Sequence, residues 1–413
     1  MHVKTRILNL TICVALGLFL LAPAALLAQK NDAPAPIELY GATFRLDFQP
    51  SGIDDIDRLE LVEPRFADIA RAAIHRATPF ASRLVELCDS LNFPDWLRLK
   101  LVGEIAKRSA KKNNQKTFAA MVLLRAMGYD AAIVLLSKQW RLAIEIDQKI
   151  FFATLFEESK RRYAIYDIEK GELMKATGES DGFYDANENL GQTLEPLALF
   201  QDGLPNLPFK PIERKITWKF EGENYSLAFA LNRNLVRYLE SRPQVDVALY
   251  FNESVSRDVV QAVIEPLKRI IAEKGFSPRR AVAFLHSFVL NGFAYKDDMQ
   301  TSRGQHVNSP HETLASEFSD CEDRAILLSA LIRGALGYEV VGIEFPNHIS
   351  LAVHYPDFVA EPGDEVYLYE GKRFLSSDPS CFGALGSVNP DFKGKTPIRF
   401  IRVEPLAISG ANY

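Results

Sequence analysis

Cysteine is scarce in this chain, with four in 413 residues, at positions 13, 88, 321 and 381. No two form a CxxC pair, so the thioredoxin-type redox motif is excluded and a structural zinc site, which prefers closely spaced ligand pairs, is not expected. A Walker loop, a glycine-rich dinucleotide fingerprint and an HExxH helix are also missing. We therefore expect no cofactor and no metal. Charge of one sign is lacking as well: 48 Lys and Arg stand against 53 Asp and Glu, a formal net charge of −5. Such a mildly acidic balance argues against nucleic acid as a partner. Long apolar runs are confined to the N-terminus. Elsewhere charges interrupt each one, and no internal membrane span is expected.

Residues 1–28 read as a secretory signal peptide. Lys4 and Arg6 form a basic start, Ile7 to Leu21 is mostly apolar, and Pro23 precedes a small-residue exit at Ala24 or Ala28. The stretch is just long enough to span a bilayer, so an uncleaved anchor is the one membrane association considered. Cys13 lies within the apolar region, not at a cleavage junction. The expected location is therefore periplasmic or extracellular. Removal of the signal leaves Cys88, Cys321 and Cys381, an odd count that leaves at least one thiol free or paired between chains. A Cys88–Cys381 bridge is arithmetically open, although both read as buried bystanders.

The most informative stretch is Ser319-Asp320-Cys321-Glu322-Asp323-Arg324 with the apolar run Ala325 to Leu336 behind it. Ser319 followed by Glu322 reads as a capping box, which starts a helix at Asp320 and places Cys321 in its first turn. Unpaired N–H groups and the positive end of the helix dipole favour a thiolate there, so Cys321 is a candidate nucleophile. The plainer alternative is a small core residue. Gly337 ends the helix, and Tyr338 to Phe345 reads as a strand. The next strand, His348 to Tyr355, alternates Ile349, Leu351, Val353 and Tyr355 against His348, Ser350, Ala352 and His354. A hairpin follows, Val366 to Glu370 turning through Gly371-Lys372 into Arg373 to Asp378, and Pro379 stops it. A thiol at a helix start, an imidazole on a strand and a carboxylate at a strand end make up a nucleophilic triad: Cys321, His348 and Asp378.

Glu312-Thr313-Leu314, Asp320-Cys321-Glu322-Asp323-Arg324-Ala325, Asn347-His348 and Ser377-Asp378-Pro379 resemble, in this order, the motifs of the transglutaminase-like superfamily of papain-type cysteine enzymes. The resemblance spans about residues 255–390. It implies an α+β fold with a papain/transglutaminase-like core, a nucleophile helix packed on an antiparallel sheet, and a Cys321-His348-Asp378 triad. Ser319 and Asn347 stand where the family pattern has glycine, and Ser380 where it has threonine.

The N-terminal half shows the same pattern in weaker form. Asn113 to Asp130 can be laid on Cys321 to Glu339, Arg161 to Asp167 on Lys372 to Asp378, and Pro94 to Lys107 on Pro278 to Asn291. Asn113 then takes the nucleophile position, the histidine position falls near Gln139, and Asp167 alone keeps its type. The expected organisation is a signal peptide at 1–28, a degenerate transglutaminase-like domain at 38–200, a proline-rich linker at 201–212 and a catalytic transglutaminase-like domain at 213–413. Strands are expected at 215–220, 225–231 and 245–251, and helices at 254–274 and 279–291.

The stretch Asp298 to Pro310 reads as a polar loop placed to line the cleft. Papain-like chemistry needs a donor for the developing oxyanion beyond the backbone N–H at the nucleophile, and Tyr295, Gln305 and Asn308 are the candidates. His306, His311 and His354 are rival bases; His75 and His286 read as structural or surface residues. The expected function is exported, thiol-dependent acyl transfer on peptide or carboxamide bonds. Its substrate would be a peptide or protein, cell-wall peptide among them, and the enzyme a cysteine peptidase or amidase, or a crosslinking transglutaminase. The alternative is a non-catalytic binding or scaffold protein of the cell envelope on the same fold.

Overall fold

A computed structural model describes residues 35–56, 64–158, 160–175, 182–184, 193–200, 203–297, 306–380 and 383–410. The expected signal peptide, Gln305, Cys13 and Cys381 lie outside them. After a short antiparallel hairpin of Ile37–Leu39 with Ala42–Phe44, the first half has three helices, α1 (Pro64–Ser90), α2 (Asp95–Ser109) and α3 (Asn113–Ala126). From Thr117 to Arg125, α3 is buried on every side, as its unbroken apolar run requires. β1 (Ala131–Leu136) and β2 (Gln139–Glu145) then turn through Ser137 and Lys138. Both turn residues have positive φ, 49° and 62°, as a two-residue hairpin with right-handed strand twist demands. After β3 (Ile150–Phe151) come β4 (Leu155–Glu158), β5 (Arg161–Asp167) and β6 (Gly182–Tyr184), and the sheet runs β4-β5-β2-β1-β6, all antiparallel.

The second half opens on a long hairpin, β7 (Pro211–Phe220) and β8 (Glu223–Asn232). Ile216, Trp218 and Phe220 alternate inward, and the Trp218 ring packs on Phe284 and Phe288 of helix α4 (Pro278–Gly292). Between them lies β9 (Gln244–Val245); beyond them follow β10 (Ala294–Tyr295), α5 (Pro310–Ala315), β11 (Phe318–Ser319) and α6 (Cys321–Leu336). Helix α6 packs on a second antiparallel sheet built from β12 (Glu339–Phe345), β13 (His348–His354), β14 (Val366–Tyr369), β15 (Lys372–Ser377) and β16 (Arg399–Arg402). Its order is β14-β15-β13-β12-β16, the same as in the first sheet. The protein is thus a mixed α+β fold of antiparallel sheets and packed helices.

Three local expectations need correction. Residues 245–251 are not one strand: only Gln244–Val245 pair, and Val247–Phe251 is a short helix. The Asp246 carboxylate accepts from Ala248 N at 2.9 Å and caps it, which overrides the β propensity of that apolar run. The 254–274 helix starts only at Arg257, after a Ser256 cap, and passes through a π turn at Val260–Ile264 before Glu265–Glu273. A capping box does form, but at Ser309 and Glu312, where it starts α5 inside the stretch read as a loop.

One apolar core runs from Ile37 to Ile401, and polar contacts join the halves along it. Trp96 Nε1 donates to Ser241 O (3.1 Å), Leu204 N to Ser409 Oγ (2.9 Å), and β3 pairs with β9. A buried ion pair, Arg242–Glu253 at 2.7 Å, lies under the Phe200 ring. Beside it, burial and then the Arg242 charge push His311 down to about 4. The neutral imidazole accepts from Ser256 N at 3.0 Å, so this rival base is a structural residue. No helix among the described residues is long and apolar enough to cross a membrane.

Candidate active site

Cys321 is the first residue of α6, and Asp320 is its N-cap, with a side chain that accepts from Asp323 N. The cap therefore falls one residue later than the Ser319–Glu322 spacing suggests, because Ser319 Oγ is occupied by Arg324 Nε at 3.0 Å. That arginine, 2% exposed near the start of a largely buried helix, also donates from Nη1 to Pro379 O (3.0 Å) and from Nη2 to Phe293 O (2.7 Å). One guanidinium thus bolts together the strand leading to Tyr295, the segment leading to Cys321 and the turn after Asp378. Next to it, Asp323 accepts both the backbone and side-chain N–H of Asn308. Neither role was read from the sequence. The available signal was a charged pair embedded in a buried helix, since such charges persist only with partners.

His348 opens β13 after a two-residue turn in which Asn347 has φ 59°. The position takes the left-handed region, where glycine is commonest and asparagine is tolerated, so Asn347 fits the turn. Pairing of Leu351 with Ser377 sets Asp378 beside the strand face that carries His348. His348 Nε2 lies 2.7 Å from Asp378 Oδ2, and the other carboxylate oxygen accepts from Ser380 N (3.1 Å) and Ser380 Oγ (2.5 Å). Burial alone would raise the Asp378 carboxyl, but the His348 bond and charge and the two Ser380 bonds together hold it below its ordinary value. The imidazole is stacked on Phe392, with ring centres 4.8 Å apart and planes 4° from parallel. Its orientation is fixed from two sides, and Nδ1 is the remaining ring nitrogen.

Cys321, His348 and Tyr295 line one cleft of about 810 Å³. The backbone N–H of Ile349, the residue after the histidine, acts on the Cys321 thiol in the sense that lowers its pKa. The thiol itself donates to Glu322 Oε2 at 2.8 Å. This corrects the expectation of a lowered thiol pKa. Burial pushes Cys321 well above its ordinary value, the Glu322 charge and hydrogen bond push it further, and the Ile349 N–H pulls the other way. Cys321 is thus held as a neutral thiol hydrogen-bonded to a carboxylate. Glu322→Gln should therefore lower the Cys321 pKa and speed its reaction with iodoacetamide at pH 7 by about tenfold, about one pKa unit of thiolate. An unchanged rate profile would show that Glu322 does not restrain the thiol.

Tyr295 pairs with Ser319, two residues before the nucleophile, and its side chain is about half exposed in the cleft. Burial, then the nearby Cys321 and the carboxylates of Asp320, Asp297 and Glu322, raises its hydroxyl, which stays a donor at neutral pH. Asn308 is committed to Asp323 and lines a neighbouring cavity behind the Cys321 cleft. Gln305 lies outside the described residues. His306 does reach the cleft, held by Gln244 (2.9 Å) and Glu312 (3.2 Å), whereas His354 bonds Arg373 O at the far end of β13. His286, read as structural or surface, is buried behind the backbone of Asp378. Among the described residues, no group of three His, Cys, Asp or Glu side chains converges as a cation site.

In the first sheet, Leu136 pairs with Gln139 and Leu142 with Tyr166, as Phe345 does with His348 and Leu351 with Ser377. By register, Gln139 and Asp167 stand in the first sheet where His348 and Asp378 stand in the second, and Asn113 opens α3 as Cys321 opens α6. An asparagine amide is no nucleophile, and glutamine no base. Compared with protein-family models, curated proteins and solved structures, the chain matches none.

Proposed function

We propose that the 321–378 site carries out thiol-dependent acyl transfer on peptide or carboxamide bonds, as an exported member of the transglutaminase-like superfamily. The observation that carries this reading is the His348–Asp378 pair at 2.7 Å opening onto the same cleft as a thiol at a helix start. Nδ1 of His348 takes the Cys321 proton, the sulfur attacks the carbonyl carbon, and the oxyanion forms near the Cys321 N–H and the Tyr295 hydroxyl. Collapse breaks the C–N bond, and the imidazolium gives its proton to the departing amine. Water then releases a carboxylate, or a second amine takes the acyl group; hydrolysis is the favoured branch because water is always present. The first half we read as an inactive copy of the same papain-like fold, on the strength of its matching strand order and register.

A second reading has its own support. The thiol held neutral against Glu322 suits a binding or scaffold protein that has no use for a nucleophile. Acid quenching of the chain during reaction with an activated peptide ester, followed by peptide mass analysis, separates the two. An acyl adduct on the Cys321 peptide that is absent in Cys321→Ala supports the enzyme. No adduct on a folded chain leaves the scaffold.

A further inference from the structure

The far wall of the cleft belongs to the half without a nucleophile. β3 stands apart from the first sheet and pairs with β9 of the other half, Phe151 opposite Gln244 and Ile150 opposite Val245. Period-2 alternation sends Ile150 into the core, at 6% exposed, and leaves Phe151 outside at 37%. Phe152 then has φ 62°, a region that a bulky aromatic residue rarely adopts, and stays 53% exposed. That turn keeps both phenyl rings out of the core, 6.4 Å apart, on the wall of the cleft that also holds Cys321 and His348. Lys149 lies over the Phe151 ring and Lys175 over Phe152, so two ammonium groups rim the apolar spot. Around the thiol the rim is acidic instead, with Asp297, Asp320 and Glu322. Two adjacent exposed aromatics held by a strained backbone, in a catalytic cleft, are the usual material of a side-chain subsite.

We infer that Phe151 and Phe152 form an apolar subsite, supplied by the inactive half, that selects acyl donors carrying an aromatic or large aliphatic side chain. This rests on the acyl-transfer reading of Cys321 and deepens it by naming the substrate class. The phenyl pair gains contact only with a substrate whose apolar group leaves water there, so selectivity follows the area buried. The two residues are specificity-determining and touch no reacting atom.

The test pairs two probes with one variant. Phenylalanyl and glycyl chloromethyl ketones are compared for their rates of alkylating Cys321, with iodoacetamide reporting the bare reactivity of the thiol. In the wild-type chain the phenylalanyl reagent should react about tenfold faster or more, as expected for one buried apolar group. In the double variant Phe151→Ala/Phe152→Gly that preference should fall to about twofold or less, with the iodoacetamide rate unchanged. Glycine suits the positive φ at 152, and both side chains are exposed, so the variant should fold. A preference that survives in the variant, or is missing in the wild type, overturns the subsite. An inert thiol would instead sink the catalytic reading, and the subsite is then judged on Cys321→Ala. N-acetyl-phenylalaninamide must perturb the amide spectrum at lower concentration than N-acetyl-glycinamide, and the difference must vanish when Phe151 and Phe152 are also replaced. Equal binding of the two amides would sink the subsite there.

Discussion

Replacement of His348 by alanine is expected to slow acyl-enzyme formation on Cys321 by about 10³-fold or more, because the thiol starts neutral and needs a base. In a site with a preformed thiolate, loss of the imidazole would mainly raise the thiol pKa. Here burial and Glu322 already hold it up, so proton removal has to accompany attack. The pH profile carries the sign of this argument. With a base at hand, the wild-type rate should already be substantial below the alkaline range in which the thiol ionises unaided. The His348→Ala rate should climb only at alkaline pH, where the thiol ionises unaided. Added imidazole should restore part of the rate in His348→Ala and none in Cys321→Ala. Full activity in His348→Ala would hand the base role to His306, the other imidazole on the cleft wall.

Arg324→Ala should destabilise the chain by about 3 kcal/mol or more, since Ser319 Oγ, Pro379 O and Phe293 O would all lose a charged donor in the interior. The urea midpoint should fall with an unchanged slope, the sign of lost stability without a changed denatured state. Activity should be lost more steeply than stability. At temperatures where the variant is still folded, three site segments are no longer held in register. Arg324→Lys keeps the charge but not the fork, and a point donor cannot reach three acceptors set around a planar group. It should recover little of either property. A midpoint shift worth less than about 1 kcal/mol would mean that the three segments are held by their own pairing.

The legible part of the site was the part written in local code. Cys321 at a helix start, Asn347-His348 before an alternating strand and Asp378 before a proline each follow from a short stretch of residues, and the strands and the helix fall within a residue or so of expectation. Part of what escaped depends on residues far apart in sequence, and part on which local side chain wins. Ser319 is the better cap by its spacing to Glu322, but Arg324, itself held by carbonyls at 293 and 379, takes its hydroxyl. The thiol environment was misjudged because the helix dipole is visible in a sequence, whereas burial and the Glu322 rotamer are not. The 245–251 run carries strand-forming side chains, and a single Asp246 cap decides against them. In the first half, the equivalence of Gln139 and His348 needed only a hairpin turn of two residues, a feature the sequence does show.

Phe151 and Phe152 hang from a strand of two residues and belong to neither five-strand path. Substitution there leaves both ladders and the proton-handling residues untouched. On the acyl-transfer reading, a change at either ring would alter which substrate fits and leave the reacting groups in place. On that reading, a half that does no chemistry is the part of the molecule on which selection for new substrates would act.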